Sequence, residues 1–110
     1  MISLPVKRGA SFSRIFYAID GAGEPVSLAD CTAQVQLRSA SGSLYFDSND
    51  DVNSIDIDAV AGTITLTIPA VTMASLPIID YYGDIKMIFS GADVIYSDTF
   101  EIPLARSITE

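Results

Sequence analysis

The 110-residue chain contains no histidine, a single cysteine, and six basic residues against fourteen acidic ones. The absence of histidine removes the commonest general base, the commonest metal ligand and the usual pH switch together. Most enzyme mechanisms thereby lose their central residue. Cys31 cannot form an internal disulfide, so stability must come from packing and hydrogen bonding. With no histidine to activate it, Cys31 reads as a small half-buried strand residue rather than a nucleophile. Acid pairs such as Asp50 and Asp51 would need carboxyls facing across a cleft, and a domain this small offers little cleft. A non-enzymatic protein is expected.

The formal charge of −8 and an isoelectric point near 4.1 oppose both a phosphate backbone and an anionic membrane, so neither nucleic acid nor membrane is expected as a partner. No apolar run approaches the roughly 20 residues that span a bilayer. In "MISLPVKRGA" the basic pair follows the apolar residues, the reverse of a signal peptide, which points to a protein made in the cytoplasm. With 49% hydrophobic and 18% charged residues, the chain can bury a real core. Its length suits one domain over residues 1–110.

The dominant pattern is a period of two, broken by turns, with no sustained helical spacing. "ISLPVKRG" carries Pro5, which cannot donate to a ladder, so residues 1–8 suit an edge strand or an extended arm. "SFSRIFYAID" supplies Phe12, Ile15, Phe16, Tyr17 and Ile19 and stops at "DGAGEP". From Cys31 to Arg38 the chain alternates, with Ala33, Val35 and Leu37 on one face and Thr32, Gln34, Gln36 and Arg38 on the other. "LYF" and "SIDID" are short strands flanking an acidic loop. In "AGTITLTIP", Ile64, Leu66 and Ile68 oppose Thr63, Thr65 and Thr67, almost all β-branched.

"AVTMASLP" lacks the β pattern and suits one helical turn, capped by Thr72 and stopped at Pro77, crossing between sheets. "DYYGDIKMIFS" and "DVIYSDTFEIPLA" read as a hairpin around "SGAD". The polar tail 106–110 reads as loose. About seven to eight short antiparallel strands in this length predict an all-β, immunoglobulin-like β-sandwich, with a small barrel as the competing closure. Tyr82, or the adjacent Tyr81, is the candidate for a corner hydroxyl at the sheet crossing.

Taken together, Arg8, Gly9 and Phe12, then Gly23-Glu24-Pro25, Arg38, Gly62 to Leu66, and Tyr82, Asp84 and Ile85 resemble a family of small β-sandwich proteins of phage and prophage structural gene clusters. The layout is similar to the N-terminal domain of phage upper baseplate proteins. The match extends over nearly the whole chain, through strand and turn signatures. It departs from the family at Ala10, where an acidic residue is common, and at Cys31. The resemblance implies a virion structural protein, made in the host cytoplasm, of the tail, baseplate or tail fibre. Such a protein would act as a homo-oligomer and with other phage tail or baseplate proteins.

The stretch "DSNDDVNSIDID", residues 47–58, holds five aspartates and two asparagines. Read as a twelve-position loop, it places Asp47, Asn49, Asp51, Asn53 and Asp58 at positions 1, 3, 5, 7 and 12, an oxygen-donor set suited to calcium. Position 6 is Val52 where the turn needs glycine, position 12 is a short aspartate, and neither flank is a helix, which excludes an EF-hand. A looser calcium site at a sandwich end is the sharper alternative, and a solvated acidic turn the favoured one. With calcium, or without it, a carbohydrate- or receptor-binding sandwich is the second functional class; it requires exposed aromatics near that loop.

Overall fold

A computed structural model of the chain describes residues 2–50, 53–90 and 93–106. Among the described residues two sheets face each other, as the alternation predicts. The smaller has three strands in the order β3 (Phe12–Tyr17), β7 (Thr63–Ile68), β6 (Ile55–Asp58). The larger runs β1 (Ile2–Ser3), β10 (Phe100–Ala105), β8 (Asp80–Ile88), β4 (Thr32–Arg38), β5 (Leu44–Asp47), with β2 (Val6–Lys7) also on β10 and β9 (Val94–Tyr96) on β8. This is an immunoglobulin-like β-sandwich with principal extents of 44 × 26 × 24 Å.

Each alternating strand turns its apolar set inward. Ile64, Leu66 and Ile68 of β7, Val35 and Leu37 of β4, Tyr81 and Ile85 of β8, and Ile102 and Leu104 of β10 are all buried. Phe16 and Phe100 meet across the sheets with ring centroids 5.2 Å apart. Gly83 belongs to this layer because a methyl there would lie 2.9 Å from the Gln36 carbonyl oxygen and 3.1 Å from the Phe100 ring.

Four local features differ from expectation. First, β1 and β2 pair parallel, not antiparallel, with β10. Pro5 lies between them, where a ladder would need an N–H that proline lacks. Second, the run after "SGAD" is two strands. The β8 pairing shifts by one residue between β9 and β10, and the Ser97 hydroxyl accepts the Ile85 N–H at 2.8 Å in place of a strand carbonyl. Third, helix α1 spans Ala70–Ala74 with Pro69 at its N-cap position and no side-chain cap. Thr72 therefore sits within the helix rather than capping it, and its carbonyl accepts the Ser75 hydroxyl at 2.6 Å.

Fourth, the corner hydroxyl belongs to Tyr81. Its phenol donates to the Pro77 carbonyl at 2.6 Å, and the residue is fully buried. Along β8 the odd-numbered positions face the core, which sends Tyr82 to the outer face. Burial pushes the Tyr81 phenol up to about 12, with a smaller push from Tyr45.

Helix α1 carries the chain from β7 in the small sheet to β8 in the large one, which is the sheet crossing anticipated for it. The Arg8 guanidinium closes its C-terminal end, donating to the Ala74 carbonyl at 3.1 and 3.3 Å. A cation there satisfies an orphan carbonyl and complements the helix dipole. Of the expected tail 106–110, residues 107–110 lie outside the described residues.

Candidate functional site

The acidic segment links the sheets, leaving β5 through a 3-10 turn at Ser48–Asp50 and entering β6 at Ile55. Its serines anchor it. Ser48 is buried and its hydroxyl accepts the Val35 N–H at 2.9 Å. Ser54, also buried, donates to the Ser48 carbonyl at 3.3 Å, and its own carbonyl takes the Thr67 N–H at 2.8 Å.

Four of the five calcium-ligand candidates lie among the described residues on this path. The Asp47 carboxylate accepts the Asn49 N–H at 2.9 Å, the Gln36 amide at 2.9 Å and the Gln34 amide at 3.2 Å. Asp58 accepts the Ala61 N–H at 3.0 Å in the turn to β7. Asn49 and Asn53 are exposed, and Asp51 lies outside the described residues. Among the described residues, no three acidic, cysteine or histidine side chains come together in a group able to hold a metal ion. Asp56 and Asp58 alternate outward from β6, while Ile55 and Ile57 turn toward the core.

Asp47 instead belongs to the outer face of the large sheet. There Arg38 donates to Gln36 at 2.8 Å, and Gln36 and Gln34 both donate to Asp47. One neutral amide, that of Gln36, thus connects the cation to the carboxylate, and Gln34, two residues back on the same face of β4, gives the carboxylate a further donor. The Asn49 backbone N–H, then the Gln36 amide, hold the Asp47 carboxyl below its usual range against a small opposing effect of burial. A second Arg38 bond, to the Gly42 carbonyl at 3.0 Å, ties the β4–β5 turn to the same row.

This face carries two shallow depressions. One is lined by Gln34, Gln36, Asp84, Lys86 and Tyr96. The other lies beside it, around Arg38, Tyr82 and Thr99. Tyr96 is 58% exposed. Sequence reading assigned Arg38 and the glutamines to a solvated face but missed the tyrosines. The missing signal was the parity of β8 and the register of β9, neither of which a run of tyrosines reveals.

Cys31 is half-buried just before β4, and its thiol donates weakly to the Thr32 carbonyl at 3.5 Å. Burial pushes the thiol up, outweighing a backbone hydrogen bond, which is the opposite of an activated nucleophile.

No helix among the described residues is long and apolar enough to cross a membrane. No protein-family model matches the chain, and no curated protein matches it. Among solved structures the chain is similar to CopC from Methylosinus trichosporium OB3b, at 15% identity over 80% of this chain and 74% of that one, with a TM-score of 0.48. It is similar also to extracellular domains 3–5 of Drosophila OTK, at 12% identity over 94% of this chain and 33% of that one, with a TM-score of 0.44. Neither of these bears on the argument. The N-terminal domain of phage TP901-1 ORF48 shares 13% identity over 94% of this chain and 84% of that one, with a TM-score of 0.63; its all-β fold is that of this chain.

Proposed function

We propose that the chain is a non-enzymatic structural domain of a phage virion, in the tail, baseplate or tail fibre, acting through protein–protein assembly. The observation that supports this most is the likeness of fold, over 94% of the chain, to the N-terminal domain of a phage protein. The strand and turn motifs quoted above support the same reading from sequence. The absence of histidine, the raised Cys31 thiol and the shallow depressions agree with a protein that works by contact. Its expected partners are copies of itself and other tail or baseplate proteins.

Immunogold labelling of purified virions with an antibody to this chain tests the reading. Gold on the tail is the expected result. Virions free of label that nevertheless come from cells expressing the chain would overturn it.

A carbohydrate-binding role is the second reading, carried by the exposed Tyr96 beside Gln34, Gln36, Asp84 and Lys86. An aromatic face next to amides and carboxylates is what a sugar ring uses. Calcium would be accessory to it. NMR titration with an oligosaccharide panel would move the Tyr96 and Gln34 resonances if this reading holds, and would leave them still if it does not.

A further inference from the structure

Most free sheet edges of this molecule carry a device against pairing. β6 points Asp56 and Asp58 outward, β5 is four residues long with an extra residue at Tyr45 opposite Leu37 and Arg38, and β1, β2 and β9 have two, two and three residues. Short, bulged or charged edges are how natural sheets avoid association. β3 is different. It is six residues long, pairs among the described residues with β7 alone, and carries no proline and a single charge, Arg14.

The ladder phase fixes which backbone groups that edge offers. Ala18 N–H donates to the Gly62 carbonyl at 2.8 Å, continuing the register in which Phe16 faces Ile64 and Arg14 faces Leu66. Hydrogen-bonded pairs alternate in an antiparallel ladder, so Phe12, Arg14 and Phe16 bond to β7 while Ser13, Ile15 and Tyr17 aim their N–H and C=O away from it. Beside that edge Ile15 is 53% and Tyr17 70% exposed. The Arg14 guanidinium covers part of it, donating to the Ser13 carbonyl at 3.0 Å.

We infer that β3 is a docking edge for β3 of a second copy of this chain, paired antiparallel about Ile15. The inference rests on the assembly reading and names its surface and partner. The strand is complementary to itself in this register. Ile15 meets Ile15, Ser13 meets Tyr17, and Arg14 lies beside Phe16, where a cation over an aromatic face is favourable. No charge lies directly opposite a like charge. Residues 1–17 hold Lys7, Arg8 and Arg14 with no acidic residue, so two strongly negative copies meet where neither is negative. Three outward-facing residues on each copy give a continuous six-stranded sheet across an isologous two-fold.

Light scattering across concentration and salt, with amide exchange on the intact chain, tests this. The expected mass is twice the 11.7 kDa of one chain, rising with salt because net repulsion is screened. The amides of Ile15 and Tyr17 should become protected as the dimer forms, while those of Arg14 and Phe16 are protected throughout. Ile15→Lys should weaken the dimer at least about tenfold with the monomer's melting curve unchanged. Tail labelling that persists alongside a strictly monomeric chain would remove this inference and leave the assembly reading standing. An oligomer that weakens with salt, ignores Ile15→Lys and leaves the Ile15 and Tyr17 amides open would equally overturn it.

Discussion

Replacing Gly62 with alanine separates two penalties that are usually confounded. Gly62 has φ +68°, and a methyl there would lie 2.7 Å from the Val26 carbonyl oxygen and 3.2 Å from that of Ala18. Neither oxygen can retreat freely, because Ala18 is bonded both to Gly62 and to Val26. Gly42 supplies the control, since its φ is +93° and a methyl there meets nothing within 4 Å. The left-handed conformation costs about 1–2 kcal/mol for alanine. Overpacking against fixed backbone adds about 1–3 kcal/mol, and the stiffer unfolded chain returns about 0.4–1 kcal/mol in both variants. Gly42→Ala should therefore cost about 1 kcal/mol and Gly62→Ala about 2–4 kcal/mol. For a domain of this size that is a difference in Tm on the order of 5–15 °C by calorimetry. Equal melting temperatures for the two variants would refute the claim that the 18–26 segment is packed onto Gly62.

Four further outcomes follow from the same geometry. Tyr81→Phe should cost about 1–2 kcal/mol in chemical denaturation, since the Pro77 carbonyl loses its partner; an unchanged midpoint would deny the corner bond. The raised Tyr81 phenol also sets a sign with pH: the unfolded chain releases this proton from about pH 10 while the folded one keeps it to about 12. Stability should fall across that window and fall less in Tyr81→Phe. Asp47, whose folded carboxyl lies below the unfolded range, stabilises the fold above the unfolded value and loses that contribution as pH falls through the folded one. Melting curves of Asp47→Asn and the parent chain should accordingly converge at acid pH, and a constant gap would contradict the assignment. Millimolar calcium should leave Tm unchanged, because Asp47 and Asp58 already serve backbone amides; a rise of several degrees would restore the loop as a metal site.

The strands with strict alternation were legible from residues alone. β7 could be read directly from "TITLTI" and β4 from "AQVQLR", because a half-buried strand leaves no other way to distribute those side chains. Features that depend on a one-residue phase were not. Tyr81 and Tyr82 are chemically the same in sequence, and only the register of β8 decides which reaches Pro77 and which reaches the outer face. Extra residues near Tyr45 in β5 and near Ser97 between β9 and β10 shift the strand pairing locally, and no turn residue announces them. The parallel course of β1 and β2 depends on a partner almost a hundred residues away, beyond any local signal. The acidic loop could be read as a donor set or a solvated turn because its aspartates are counted along the chain; that buried Ser48 and Ser54 anchor the segment, and that Asp47 and Asp58 take backbone amides, appears only in three dimensions.

The parallel arm on β10 also has a mechanical consequence. Ile2 pairs with Phe100 and Lys7 with Ala105, so both segments run toward the same end of the sandwich. Tension applied at Ile2 and at Ala105 pulls these segments lengthwise past each other, loading their backbone bonds together instead of opening them one at a time. Leu4 N–H on the Glu101 carbonyl, at 2.8 Å, and Arg8 N–H on that of Ala105, at 2.7 Å, share that load. A domain strained between those two points would resist as a shear clamp, and reversing the arm's direction would leave the same bonds to unzip singly.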